Sequence, residues 1–226
     1  MWEVYEFLAR GGPVMVFIVL GSVTGLAILF ERLWSLRRAS IIPESLLPRV
    51  RDLVGSRSYD QAQSFCAKSD APMARILSAC LQYRDLGRGE IKQAIEDVGR
   101  REVASMNRFV GALGAIASVS PLLGLLGTVT GMIQAFRQVV SSAGRGAIDP
   151  TRLANGIWEA LITTAAGLSV AILCFIAYRY LASRADRLAM EMESGALVLL
   201  DDVTGITAPK DASEQSESAA EAGAAE

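Results

Sequence analysis

Residues 109–136 read FVGALGAIASVSPLLGLLGTVTGMIQAF, a stretch without a single charged side chain. A helix of this length measures roughly 42 Å, which exceeds the roughly 30 Å of a bilayer hydrocarbon core. Such a run, in a chain with 51% apolar residues and a formal net charge of −2, indicates a membrane protein. The excess length predicts that this helix projects beyond the membrane.

Two further uncharged runs lie before and after this one. The first extends from Pro13 to Phe30, and we interpret it as an uncleaved anchor because acidic residues precede it and no small-residue cleavage site follows. The other extends from Ala160 to Tyr178 and is also long enough to span a bilayer. We therefore expect an all-α membrane protein. Its three predicted transmembrane helices are 13–33, 109–136 and 154–180.

The basic residues predict the orientation of these helices. Arginine clusters follow the first run, precede the second and follow the third, which places all three on one side of the membrane. By the positive-inside rule that side is the cytoplasm, so the N-terminus is periplasmic and the C-terminus cytoplasmic. The periplasmic loop still carries Arg137, Arg145 and Arg152, so the bias is incomplete. The predicted remaining segments are a periplasmic N-terminus 1–12, a cytoplasmic helical region 34–108, a periplasmic loop 137–153, a cytoplasmic helix 181–203 and a disordered acidic tail 204–226.

The predicted cytoplasmic region 34–108 contains signals for three or four helices. Ser58 and Gln61 have the spacing of a capping box, and Asp70-Ala71-Pro72 is typical of a helix start. The stretch from Glu90 to Arg108 is amphipathic and is expected to continue into the second span, so long helices extend into this region. The glycines expected to separate helices are Gly87 and Gly89. The predicted apolar side of the amphipathic stretch is Ile91, Ile95, Val98, Val103 and Met106.

The residue types exclude most kinds of active site. The chain has no histidine, which removes Ser/His/Asp triads, haem axial ligation and the usual zinc sites. Its three cysteines, Cys66, Cys80 and Cys174, lack the CxxC spacing of metal and redox motifs. We expect no catalytic residue, metal, cofactor or disulfide, and no nucleic-acid binding. The protein is not expected to be an enzyme.

Small residues recur at helical spacing on the second and third spans. On the second span they oppose a lipid-like side of leucine, valine, methionine and isoleucine. Such faces are typical of close packing between membrane helices, and two of them in one chain predict a bundle with a pore or a partner at its centre. The predicted packing and pore faces are Pro121, Gly124, Gly127 and Gly131 on the second span and Gly156, Ala160 and Gly167 on the third.

Three threonines accompany these faces. Thr128 lies about 12 Å along its helix from Phe136. Thr164 lies roughly 16 Å from a helix start near Leu153, so the two hydroxyls are expected at a similar depth. We predict that Thr128, Thr163 and Thr164 line a proton path. The alternative is that each hydroxyl merely bonds a carbonyl of its own helix.

Glu159 precedes Thr163 by one helical turn. A carboxylate so close to a span is a candidate for function, because burial of its charge is costly. The alternative is a carboxylate at the membrane interface, near Arg152 or water. Neither 109–136 nor 160–178 contains a titratable Asp, Glu, Lys or His. A proton path therefore needs a carboxylate from a partner helix.

Four stretches carry a family likeness: Gly11–Met15, Glu31–Arg38, Ser120–Phe136 and Asn155–Gly167, of which the last two are long and specific. They resemble the MotA/TolQ/ExbB proton-channel family, nearest its ExbB-like branch. By motif, Thr128 and Thr164 match the family's pore threonines, and Glu159 matches its glutamate on the third span.

The resemblance implies an assembly and a function. Five copies would form a ring in the bacterial inner membrane around two helices of an ExbD/TolR/MotB-like single-span partner that carries an intramembrane aspartate. The ring would contact membrane lipid and use a proton gradient, or alternatively a sodium gradient, for mechanical work. A TonB-like, Tol or motility component would be a further partner, for uptake, envelope maintenance or surface motility. The alternative function is a non-conducting membrane scaffold that assembles a partner.

Overall fold

The computed structural model describes residues 12–142 and 150–205. This part of the chain contains seven helices in succession. They are α1 (Gly12–Ser35), α2 (Arg38–Ile41), α3 (Leu46–Gly55), α4 (Tyr59–Ala67), α5 (Pro72–Gln82), α6 (Arg88–Ser142) and α7 (Pro150–Thr204).

Within the described ranges, three helices are long and apolar enough to cross a membrane: α1, α6 and α7. Each contains one of the predicted spans. The amphipathic stretch from Glu90 continues without a break into the run 109–136, as predicted, and α6 extends beyond that run to Ser142. In α7 the predicted third span and the helix that follows it form one uninterrupted helix.

Several predictions concern residues that the structure does not describe. The predicted N-terminal segment up to residue 11, the loop residues 143–149, which include Arg145, and the predicted tail from residue 206 lie outside the described part. The side chain of Arg152, proposed as a neighbour of Glu159, also lies outside it.

Two short helices, α4 and α5, begin at residues where the sequence predicted helix starts. α5 begins at Pro72 with the proline in its first turn, which confirms the start predicted at Asp70-Ala71-Pro72. α4 begins after Ser58, but the capping box is wrong, since the Ser58 side chain makes no capping hydrogen bond. Its Oγ instead accepts a hydrogen bond of 3.4 Å from Ser56 Oγ.

The predicted glycine boundary is only partly correct. Gly87 directly precedes α6, whereas Gly89 lies inside the first turn of that helix. Ile91 and Ile95 of the predicted apolar side are buried, as is Met106, and Val98 and Val103 are partly buried. The amphipathic reading of this stretch is therefore confirmed.

The chain divides into two compact units. We call the first the apolar unit; its described residues are 12–36, 105–142 and 150–185. Its core includes Val14, Met15 and Ile18 of α1 packed with Ile162 of α7. Further along α1, Gly25 lies close to Cys174 and Leu113, so α1 packs against both long helices.

The second unit, which we call the helical unit, has 37–104 and 186–205 as its described residues. Its core is apolar and includes Val50, Leu77 and Leu199, all fully buried. Ion pairs surround that core. Arg75 makes a two-pronged pair with Glu102, with Nε–Oε1 at 2.6 Å and Nη2–Oε2 at 2.5 Å. Such fork geometry fixes both side chains more firmly than a single contact would.

Candidate functional site

The contact between α6 and α7 in the apolar unit is built from the predicted small residues. A methyl group added at Gly124 would lie 3.1 Å from Thr164 Cα and 3.3 Å from the carbonyl oxygen of Thr163. A methyl group added at Gly127 would overlap the Thr163 side chain, with its Cβ only 2.6 Å away. The absence of side chains at these glycines therefore allows the helices to approach closely.

The contact continues in both directions along the pair. On one side, a methyl group at Gly131 would lie 3.1 Å from both Ala160 Cβ and the Gly156 carbonyl oxygen. On the other, a methyl group at Gly167 would lie 2.6 Å from the Ser120 carbonyl oxygen. Six of the seven residues predicted for the small faces thus lie in this contact between α6 and α7 within one chain.

The opposite side of α6 carries the large apolar side chains. The seventh predicted residue, Pro121, is partly buried, and α6 continues through it. Of the six side chains predicted for the lipid-like side, five are exposed in the single chain and Met132 is partly buried. The five are Leu122, Leu125, Leu126, Val129 and Ile133.

Two threonines carry hydroxyls about one helical turn apart on the pair, that of Thr164 partly buried and that of Thr128 exposed. Thr164 donates its hydroxyl to the Gly124 carbonyl oxygen across the contact, at 2.9 Å. Thr128 donates its hydroxyl to the Leu125 carbonyl oxygen of its own helix, at 2.6 Å. The bond to Gly124 puts Thr164 about one helical turn from Thr128 along α6, and their depth in the membrane stays a prediction. Since each hydroxyl hydrogen is already donated, the oxygen remains available as an acceptor.

Thr163 has different surroundings from its neighbour Thr164. It is only 1% exposed and packs against Gly127. Its hydroxyl donates to the carbonyl oxygens of Glu159 and Ala160, at 3.1 and 2.9 Å. Thr163 and Thr128 thus both show the own-helix bonding considered as the alternative for these threonines. A pore-lining role for Thr128, Thr163 and Thr164 stays a prediction.

Glu159 lies beside the beginning of α1. Its side chain is partly buried, and a methyl group added at Gly12 would overlap its Oε1 atom. Gly12 also has φ +66°, a backbone conformation that glycine adopts without the steric cost of a side chain. Gly12 therefore leaves space for the carboxylate in two ways. Sequence reasoning did not find this pairing, although Gly12 belongs to one of the four family-like stretches.

Ser120 was also absent from the predicted site. It is 2% exposed, donates its hydroxyl to the Ile116 carbonyl oxygen at 2.7 Å, and presents its own carbonyl to Gly167. Its position on the small face was the available signal. Among the described residues, no group of three or more His, Cys, Asp or Glu side chains is placed to hold a metal ion.

These features define a class of protein. In its described part the chain is a helical membrane protein with three helices long and apolar enough to span a bilayer, of which the second and third pack along small residues and carry hydroxyl groups but no charge at mid-span.

Comparisons with known proteins identify the family within that class. The model of the MotA/TolQ/ExbB proton channel family matches residues 68–194. The ExbB-like 1 protein of Synechocystis is 37% identical over 183 residues, which cover 79% of this chain and 70% of that protein. TolQ of Haemophilus influenzae is 33% identical over 179 residues, 74% and 69% of the two chains. ExbB of Neisseria meningitidis serogroup A is 28% identical over 204 residues, 82% and 90% of the two chains.

The chain belongs to the MotA/TolQ/ExbB proton channel family. The resemblance inferred from the motifs is thereby confirmed. The family and the three apolar helices support an inner-membrane protein of the transport or channel type rather than an enzyme.

Proposed function

We propose that this chain is the channel-forming stator subunit of a proton-driven motor in the inner membrane. Family membership supports a role of this kind. Five copies would surround two helices of an ExbD/TolR/MotB-like partner. The observation that carries the proposal is the pair of hydroxyls of Thr128 and Thr164, about one helical turn apart within two runs that contain no charged residue.

The two threonine oxygens are suited to accept a hydrogen bond from a protonated carboxyl group. Each hydroxyl hydrogen is given to a backbone carbonyl, of Leu125 for Thr128 and of Gly124 for Thr164. A donated hydroxyl is a better acceptor, because hydrogen bonds in a chain polarise one another. In apolar surroundings a protonated carboxyl without an acceptor is costly. The threonines would therefore stabilise the neutral, protonated form of a partner carboxyl at mid-span.

The partner must bring that carboxyl because this chain has none in its uncharged runs. An aspartate on the partner helix would be neutral at the threonine level and ionised where water reaches it. Each change of protonation alters the position that the partner helix prefers within the ring. Because the five subunits of the ring are equivalent, successive protonation changes move the partner helix from one subunit to the next. This movement rotates or strains the partner relative to the ring.

Glu159 supplies a titratable group nearer to one end of the path. It precedes Thr164 by five residues, or about 7.5 Å of helix, and its carboxylate lies at the beginning of α1. A proton entering from that end meets Glu159 before it reaches the threonine level. The work is then delivered to TonB-type uptake, Tol-type envelope maintenance or surface motility.

The orientation belongs to the same proposal. The arginine clusters favour a periplasmic N-terminus and a cytoplasmic helical unit. A membrane-impermeant thiol reagent should label Arg145→Cys from the periplasm when Cys66, Cys80 and Cys174 have been replaced. Labelling from the cytoplasmic side alone would reverse the orientation.

The function is tested by reconstitution into liposomes that contain a pH-sensitive dye. The chain and its partner together should acidify the lumen under an imposed gradient, whereas the chain alone or a complex whose partner aspartate is changed to asparagine should not. Native mass spectrometry of the same preparation should give five copies of this chain. A fully assembled complex that moves no more protons than the chain alone would establish the scaffold instead.

A further inference from the structure

Arginines gather around Phe109 at one end of the apolar unit. The guanidinium carbon of Arg32, in the last turns of α1, lies 4.7 Å from the centre of the Phe109 ring. The guanidinium carbon of Arg108 lies 5.0 Å from the centre of the same ring. Both distances are within the range of cation–π attraction. Two positive groups therefore lie within 5.0 Å of the centre of this one ring.

A third arginine lies at the same end of α1. Arg184 donates from Nε to the Leu36 carbonyl oxygen at 2.8 Å and from Nη1 to the Tyr180 hydroxyl at 3.0 Å. The Leu36 N–H in turn bonds the Arg32 carbonyl oxygen at 2.9 Å. Part of this arrangement is ordinary capping, because cations are favourable near the carbonyl end of a helix. Capping accounts for Arg184 but not for the pair on Phe109.

The positive charge of these arginines exceeds the negative charge of Glu31, the carboxylate that lies beside Arg32. Arg32 is only 8% exposed, and its Nε lies 2.8 Å from Glu31 Oε2. The geometry of that approach is not that of a hydrogen bond, so the buried Nε has no hydrogen-bond partner among the described residues. Arg108 is exposed, and no ion pair joins it to a described residue. Three guanidinium groups therefore accompany one half-exposed carboxylate.

The cluster lies where the uncharged runs end. Phe30 is the last residue of the first run, and Phe109 is the first of the second. The large side chains of Phe30 and Trp34 are exposed on α1, and Phe109 itself is 40% exposed. Aromatic residues at the end of an apolar run are typical of the level of lipid headgroups. At this level of the membrane, the anions next to the arginines are lipid headgroups, which carry acyl chains.

We propose that the Arg32–Phe109–Arg108 cluster binds the phosphodiester group of an anionic phospholipid. Exposed Arg108 makes the direct contact, since a guanidinium fork matches two phosphate oxygens. Arg32, nine-tenths buried on the same ring, adds positive charge that water screens little. The acyl chains lie along the exposed apolar surface beside Phe30 and Phe109. Basic pockets at the ends of membrane helices bind anionic headgroups by the same physics.

The test uses the full-length protein in mild detergent, titrated with phosphatidylglycerol or phosphatidylcholine and observed by native mass spectrometry. Phosphatidylglycerol should be retained in preference to phosphatidylcholine. Arg108→Gln should weaken its retention about fivefold, and Arg108→Lys, which keeps the charge but not the fork, should weaken it less. Glu31→Gln should strengthen retention because it removes the competing carboxylate. Arg101→Gln, which removes an exposed arginine of α6 in the helical unit, is the matched control and should change nothing.

A second arm of the experiment separates the lipid from a free anion. Inorganic phosphate at millimolar concentration should not displace phosphatidylglycerol, because the acyl chains contribute to binding. Displacement by phosphate would overturn the assignment to a lipid. Equal retention of the two lipids, or an equal loss in Arg101→Gln and Arg108→Gln, would overturn the site.

Discussion

Thr164 donates its hydroxyl hydrogen to the carbonyl oxygen of Gly124 on the neighbouring helix, at 2.9 Å. Thr163, the preceding residue, gives its hydroxyl to carbonyl oxygens of its own helix and packs against Gly127. Two adjacent threonines therefore differ in what their hydroxyls stabilise. Substitutions that remove one hydroxyl at a time should separate helix packing from the polar role.

Thr164→Val should lower the thermal stability of the detergent-solubilised protein more than Thr163→Val. Valine keeps the shape of threonine at both positions, and at 163 it loses a hydrogen bond only within α7. At 164 it removes the bond between helices, worth about 1 kcal/mol. Thermal unfolding followed by circular dichroism gives the comparison. A larger loss for Thr163→Val would show that the bond to Gly124 does not hold the helices together.

Gly167→Ala should destabilise the contact between α6 and α7. The new methyl group would lie 2.6 Å from the Ser120 carbonyl oxygen, and backbone cannot yield as a flexible side chain can. Overpacking of this kind costs about 1–3 kcal/mol. Gly111→Ala is the matched control, because no atom lies within 4 Å of its added methyl group and alanine favours the helix. The order of the two melting temperatures tests the packing; similar values would contradict it.

Gly12→Ala should impair the function of Glu159. The methyl group would overlap the Glu159 carboxylate and would also occupy a backbone with φ +66°. Displacement of the carboxylate should reduce proton-driven activity about as much as Glu159→Gln does, with the complex still assembled. Gly87→Ala, where the added methyl group meets no atom within 4 Å, is the control. Full activity of Gly12→Ala would show that the contact is irrelevant to Glu159.

Two buried cysteines should be unreactive in the folded helical unit. Burial raises the pKa of Cys66 to about 11 and that of Cys80 to about 12, with Cys66 adding to the shift at Cys80. Since the thiolate is the nucleophile, both thiols should react slowly with a disulfide reagent at pH 8 and quickly after unfolding in detergent. Cys174→Ala leaves these two thiols alone for the assay. Fast reaction in the folded protein would contradict their burial.

The same shifts determine how these thiols affect stability with pH. A folded pKa above the unfolded value of about 8.5 means that the folded state retains protons that the unfolded state has lost. Their contribution is complete below about pH 8.5 and is lost as pH rises through about 11. Replacing Cys66 and Cys80 with alanine should reduce the loss of stability between pH 8.5 and 11.

The sequence predicts the helices of this protein well because membrane spans depend on one-dimensional properties. The uncharged runs located α1, α6 and α7, and the amphipathic stretch after Glu90 predicted a helix that continues into the second span. Proline at position 72 marked a helix start, since its missing N–H costs nothing in a first turn. At Ser58 the motif predicted the helix start but wrongly predicted a capping bond from the serine side chain.

The partners of individual residues could not be read from spacing. Periodicity shows which residues share a face, but it does not show that Gly127 meets Thr163 or that Gly124 accepts a bond from Thr164. The approach of Gly12 to Glu159 joins residues far apart in the chain and leaves no local pattern. The same holds for Arg32, whose burial on Phe109 depends on how α1 packs against α6.

Proton-driven activity of Thr128→Val/Thr164→Val tests the central claim most directly. The proteoliposome assay would compare the wild-type complex with this double variant and with Thr130→Val. The Thr130 hydroxyl, like that of Thr128, donates to carbonyl oxygens of α6. Co-purification of the partner establishes assembly. The double variant should assemble and lose proton flux, its Thr→Ser counterpart should keep most of it, and Thr130→Val should behave as wild type. Wild-type flux through an assembled Thr128→Val/Thr164→Val complex would contradict the role of these hydroxyls in the proton path.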